Sequence, residues 1–186
     1  MDEPLYRLEV EALDLGTDVR AVGLELIERE TREPVRGPEA AAVWAEAMGS
    51  LAGTEPCVLD FFAHLERVRD FCRQRAIPFR EPNGHLLLID WPAPAAAAIF
   101  ERFEGETFGA RAGDAVVLGD ALLEEALAAR GVDAYHDAFK RYLFAAVCDF
   151  EGGFLTLLSE RIWASEAIRR LRGPLAALRV DVNRPA

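Results

Sequence analysis

The sequence predicts an α+β protein with a mostly antiparallel sheet and helices packed on one of its faces. Three observations carry this expectation. Residues 5–13 and 22–26 alternate apolar and polar side chains, the period of half-buried strands. Apolar runs at 142–150 and 154–159 flank Glu151-Gly152-Gly153, and glycine reaches the positive φ of a hairpin turn without steric cost. Between such strand pairs, apolar residues recur every three or four positions, the spacing of a buried helical stripe.

In order, Tyr6, Leu8 and Val10 face one side of a first strand and Arg7, Glu9 and Glu11 the other. Leu15-Gly16-Thr17-Asp18 supplies a turn, and Val22, Leu24 and Leu26 return as a second strand. The prolines of 33–38 end it, and Pro38 suits the first turn of a helix over 39–48 that Gly49 stops. Val58, Phe61, Leu65, Val68 and Cys72 predict the longest helix, over 56–76. Residues 77–80 read as a strand, 81–84 as a turn and 85–91 as a returning strand. The continuous Leu86-Leu87-Leu88-Ile89 of that strand implies burial on both faces and a central position. Pro92 and Pro94 open a helix to about Phe103, and short strands are predicted at 106–111 and 115–118. Helices are predicted at 119–131 and 133–140. Tyr135, Phe139, Tyr142, Leu143, Ala146 and Val147 keep helical spacing too, so 132–150 reads either as one long helix or as a helix followed by a strand. Ser159 stands where a helix N-cap belongs, and Ala164, Ile168, Leu171, Leu175 and Leu178 mark a helix over 160–178 before a strand at 179–182.

The order helix, strand, turn, strand, helix, strand at 56–111 returns at 133–183, which suggests a helix-hairpin-helix-strand duplication with little side-chain identity. The chain reads as a single compact domain over 1–186, or as two packed halves, 1–105 and 106–186. Its 186 residues, 51% hydrophobic and 28% charged, fit a globular protein that buries roughly 70% of its unfolded surface. No apolar run reaches the roughly 20 residues of a membrane span, and Met-Asp-Glu-Pro lacks the basic and apolar regions of a signal peptide, so cytoplasmic residence is expected. Cys57, Cys72 and Cys148, odd in number and widely spaced, fit reduced buried thiols.

A net charge of −11 argues against general nucleic-acid binding and against docking on anionic lipid. That charge is uneven. Residues 160–186 hold six arginines against Glu160, Glu166 and Asp181, a net of +3 that leaves −14 on the rest. A solvated helix face accounts for such a segment, as does a contact with an acidic partner.

Signatures of phosphate-binding loops, dinucleotide folds, nucleophile elbows and paired-histidine metal sites are absent. Asp133-x-x-His136-Asp137 could place ligands on one helical face, although Asp133 equally suits a helix start. Cys148 beside Asp149, with His136 or His85 supplied in space, could form a thiol nucleophile and base, but a lone cysteine in an apolar run is more often core. Asp90 and Trp91 end a central strand, where ligands gather in α/β arrangements; otherwise Asp90 caps the following helix. No cofactor or metal is predicted. The expectation is a non-enzymatic protein-interaction module, such as an accessory subunit, regulator or immunity-type protein. It would act through a charge-segregated surface in which Arg161, Arg169, Arg170 and Arg172 bind, with Asp90 and Trp91 as further binding residues. Homo-oligomerisation of the basic end on the acidic end is one form of it. The alternative is a small enzyme with a site near Asp90/His85 or Cys148/His136.

Overall fold

The computed structural model describes residues 3–16, 20–92, 95–116 and 140–185. Its strands are β1 (Tyr6–Leu13), β2 (Ala21–Glu28), β3 (Cys57–Phe61), β4 (Arg80–Asn83), β5 (Leu86–Trp91), β6 (Phe108–Ala112), β7 (Phe144–Asp149), β8 (Phe154–Leu158) and β9 (Val180–Asn183). They form one sheet in the spatial order β4-β5-β3-β6-β7-β8-β2-β1-β9. Every neighbouring pair is antiparallel except the parallel pair β1 and β9.

The helices of the described residues are α1 (Gly37–Ala52), α2 (Leu65–Gln74), α3 (Ala96–Arg102) and α4 (Ala164–Ala176). All four bury side chains in one core with Leu24, Leu59, Leu87, Phe108 and Leu157, which identifies a single face of the sheet as the helix side. Trp44 of α1 stacks on Phe150 at 4.9 Å, and Phe100 of α3 meets Phe150 edge-on at 5.1 Å, so rings join the two helices over the sheet. Both ends of α1 are closed by distant side chains. The Glu104 carboxylate accepts from the Gly37 N–H at 2.6 Å, and Arg170 donates to the Leu51 carbonyl at 2.6 Å. Each charge opposes the sign of its helix end.

The recurrence read from the sequence survives as hairpin, helix and parallel strand: β4-β5-α3-β6 and β7-β8-α4-β9. The two crossovers differ in span. β5 and β6 lie either side of β3, whereas β8 and β9 enclose both β2 and β1. The helix predicted at 119–131 and nearly all of that at 133–140 fall outside the described residues.

Several predicted elements are corrected. The helix over 56–76 is a strand, β3, followed by the shorter α2. All five residues of β3 are buried, so it lacks a strand's alternation and its apolar positions mimic a helical stripe. His64, at φ 51°, stands between the two as the N-cap of α2. Helix α1 runs through Gly49 and stops at Gly53, whose φ is 64°. The strand predicted at 115–118 begins instead as a 3-10 turn over Asp114–Val116. Residues 144–149 are strand, which settles the ambiguity of 132–150 in favour of the hairpin at that end. Ser159 does not cap α4, which begins at Ala164. Its Oγ accepts from the Arg161 and Ile162 N–H groups at 3.0 and 2.8 Å and donates to the Leu143 carbonyl at 2.6 Å. Asp90 does not cap α3 either, since the residue before that helix is Ala95 and it makes no side-chain cap.

On the side away from the helices, Val58, Leu86, Leu88, Ala115, Val116 and Tyr142 form a second, smaller apolar cluster. Beside it lies a buried ion pair. Arg111 of β6 donates Nε and Nη2 to the two Asp60 carboxylate oxygens of β3, both at 2.7 Å, and Nη1 to the Tyr142 hydroxyl at 2.8 Å. Asp60 and Arg111 are 2% and 4% exposed. Removing one partner strands a buried charge, whereas an apolar pair of similar volume leaves none. Asp60→Ala or Arg111→Met alone should therefore cost about 3–5 kcal/mol in urea unfolding, and Asp60→Leu combined with Arg111→Met should restore most of it. The hairpin glycines also separate. Gly153 has φ 72°, and an added Cβ would lie 3.0 Å from the Leu26 carbonyl oxygen, while at Gly152 it would meet only ordinary contacts at 3.7 Å. Gly153→Ala should lower stability by about 2 kcal/mol and Gly152→Ala by under about 0.5 kcal/mol, measured by thermal unfolding.

Candidate interaction surface

The predicted binding arginines are largely engaged within the chain. Arg170 closes α1, and Arg172 donates to the Val182 carbonyl of β9 at 3.2 and 3.4 Å. Arg169 and Arg170 both donate to Glu166, at 2.6–2.7 and 2.8 Å, in the i,i+3 and i,i+4 positions that a helix brings together. Arg161 and Arg169 are exposed. The nearby Trp163 is 51% exposed, and the Arg20 guanidinium lies 3.8 Å from its ring centroid.

Asp90 and Trp91 do lie at a recess, of about 350 Å³, lined also by Pro56, Cys57, Arg80 and Val116. Trp91 packs inward on Phe100 at 5.5 Å, and the Asp90 carboxylate accepts from Arg80 at 2.8 Å. His85 is not brought to them. It precedes the other end of β5, about 17 Å away from Asp90 along the strand. Cys148 is fully buried on the helix side, where burial pushes its thiol well above the usual range. His136 and the group Asp133, His136 and Asp137 lie outside the described residues. Among the described residues no cluster of three metal-ligating side chains occurs.

The surface that sequence reading missed is the half of the sheet's far face over β6, β7, β8, β2 and β1. Strand registers place Gly109 opposite Val147, Val147 opposite Thr156, Thr156 opposite Gly23, and Gly23 opposite Glu11. Gly109, Val147, Thr156 and Gly23 make a transverse row of small side chains that ends at Glu11. Val147 is 46% exposed. Phe62, 55% exposed, comes within 3.3 Å of where a Gly109 Cβ would stand, so its ring closes one end of the row. A second row runs alongside it, with Asp149 opposite Phe154, Phe154 opposite Glu25, and Glu25 opposite Glu9. Phe154 and Leu13 fill the space where a Gly23 Cβ would stand, at 3.0 and 3.1 Å, and beside them Glu9, Glu11, Gly23, Glu25, Phe154 and Pro185 line a recess of about 70 Å³. Alternation in the sequence puts Glu9 and Glu11 on the solvent side. Their meeting with Glu25 and Val147 depends on registers that no local pattern encodes.

Comparison with protein-family models, with curated proteins and with solved structures gives no match for this chain. No helix among the described residues is long and apolar enough to cross a membrane.

The α4 ion pairs have a pH signature. Hydrogen bonds from Arg169 and then Arg170 hold the Glu166 carboxyl at about 2, below its ordinary 4.5. Because the folded value is the lower one, the contribution is present above about 4.5 and is lost as pH falls toward 2. The stability gap between the wild type and Glu166→Gln should be small, as for surface pairs, and should close between those pH values in acid-unfolding curves.

Proposed function

We propose that this chain is a protein-interaction module that binds its partner on the half-open sheet face, with the exposed Arg161 and Arg169 end as a separate charged surface. The observation that carries the reading is the pairing of two exposed apolar side chains, Phe62 and Val147, with a row of small residues on a sheet face that the four described helices leave uncovered. Apolar side chains on a rigid, flat support, rimmed by charge, are the anatomy of a protein interface. Five strands spaced about 4.8 Å apart and about 17 Å long give roughly 400 Å² of projected face, half of the about 800 Å² that each partner gives a standard interface, before the rim is counted. Free buried cysteines suit the reducing cytoplasm, where an accessory subunit, regulator or immunity-type protein would meet its target. The recess at Asp90 and Trp91 is the basis of a second reading, a small-molecule site. It ranks lower because the charge of Asp90 is already answered by Arg80.

In extract of the native cell, the tagged chain should migrate in an assembly larger than a single chain. Phe62→Ser with Val147→Glu should return it to the position of a monomer without changing its thermal midpoint by more than about 3 °C, since both residues are exposed. A wild-type chain that runs as a monomer throughout would falsify the reading.

A further inference from the structure

Resting on the interaction-module reading, we infer that the partner is a basic protein, distinct from a second copy of this chain. It sets an arginine or lysine side chain into the recess over Gly23 and lays an apolar neighbour along Val147 and Phe62.

The charge of the recess carries the inference together with the apolar row. Glu9 and Glu25 stand directly opposite each other on antiparallel strands, and Glu11 stands opposite Gly23, so three carboxylates meet around one recess beside the Phe154 ring. Like charges in this arrangement destabilise the strand pair. Glu9 is answered by Arg7 at 3.6 Å and Arg32 at 3.4 Å. Among the described residues, no side chain pairs with Glu11 or Glu25. Among the described residues, then, two carboxylates stand unpaired beside the half-buried aromatic ring of Phe154.

A guanidinium answers all three features. It is planar, takes a carboxylate through two parallel hydrogen bonds, and stacks on an aromatic face. A lysine ammonium would satisfy the charge without the stacking geometry. From Gly23 the row continues through Thr156 and Val147 to Gly109 under Phe62, three strand spacings or about 14 Å. A partner segment that lies across the strands would thus present a cation at one end and an apolar side chain at the other.

A second copy is disfavoured by charge. Two chains of net charge −11 repel each other, and of the exposed arginines Arg161 and Arg169 the second is already held by Glu166. The partner therefore supplies the positive charge that Glu11 and Glu25 face.

The test compares the wild type with Glu11→Gln/Glu25→Gln and with Phe62→Ser/Val147→Ser, all confirmed to be folded by circular dichroism. Proteins retained from native-cell extract are quantified, and the retained partner is then purified and titrated at about 50 and about 300 mM salt, where screening differs strongly. The expected partner has a basic isoelectric point and is lost with both double variants. Its affinity for the wild type falls at least about tenfold between the two salts, and the glutamine variant loses at least about tenfold at low salt. A partner lost only with Phe62→Ser/Val147→Ser, indifferent to salt and to the glutamines, leaves the docking face standing and overturns the basic partner. An acidic or neutral partner does the same. A partner retained by both variants overturns the face itself, and a purified wild-type chain that doubles its mass in light scattering overturns the distinct partner.

Discussion

Successive side chains of a strand point to opposite faces, so a sheet that places its helices on one side must find another cover for everything that points the other way. Here α1, α2, α3 and α4 share one core with the inward residues of eight strands, β1–β3 and β5–β9. The crossovers enforce this arrangement. β5-α3-β6 and β8-α4-β9 both return to a parallel position in the same sheet, and both helices cross on the same side. Each strand residue facing away from them is left to a local solution.

The far face has two such solutions. Over β5, β3 and β6 it is closed by the 3-10 turn, Tyr142 and the Asp60–Arg111 pair. A buried pair of this kind adds little net stability over an apolar isostere, but its geometry is exacting. Slipping β6 by one residue would turn Arg111 toward the helix core and break both of its hydrogen bonds to Asp60, so the pair penalises such a slip. Over β7, β8, β2 and β1 the described residues provide no equivalent closure: Val147 stands exposed and carboxylates occupy positions that a covered sheet would fill with apolar residues. The boundary between the two solutions falls at Gly109. Its missing Cβ leaves room for both the Asp60 side chain and the Phe62 ring, each 3.3 Å from where that atom would be.

Much of this architecture is legible in the sequence, and the errors have physical causes. The α+β class, the hairpins and the one-sided helices follow from periods of two and three to four, which local chemistry imposes. The strand at 57–61 was not legible, because burial on both faces erases the alternation that marks a strand. Ser159 and Asp90 carried the right chemistry for capping and were used elsewhere, Ser159 on the turn before α4 and Asp90 on Arg80. The arginines of α4 were visible as a charge block, but that Arg170 reaches Leu51 and Arg172 reaches Val182 depends on tertiary placement. The open face is the hardest feature to read. Glu9, Glu25, Phe154 and Val147 come from four different strands and become neighbours only through the pairing of β1, β2, β8 and β7.

A sheet can meet another molecule along its two edges or across a face, and in this chain the edges are blunted. β4 has four residues, a register shift between Arg80 and Asn83, and Pro82, which has no N–H to offer. β9 also has four residues, and Arg172 occupies its Val182 carbonyl. Arg170 and Glu104 likewise each answer one backbone group at the ends of α1. The basic C-terminal segment thus spends much of its charge closing alternative contact sites. What it leaves uncompensated is the acidity of the remaining chain, a net of −14 once residues 160–186 are set aside. Part of that acidity, Glu11 and Glu25, sits on the sheet half-face that has no helix among the described residues, so the half-face without a helix there is also the one that carries paired carboxylates.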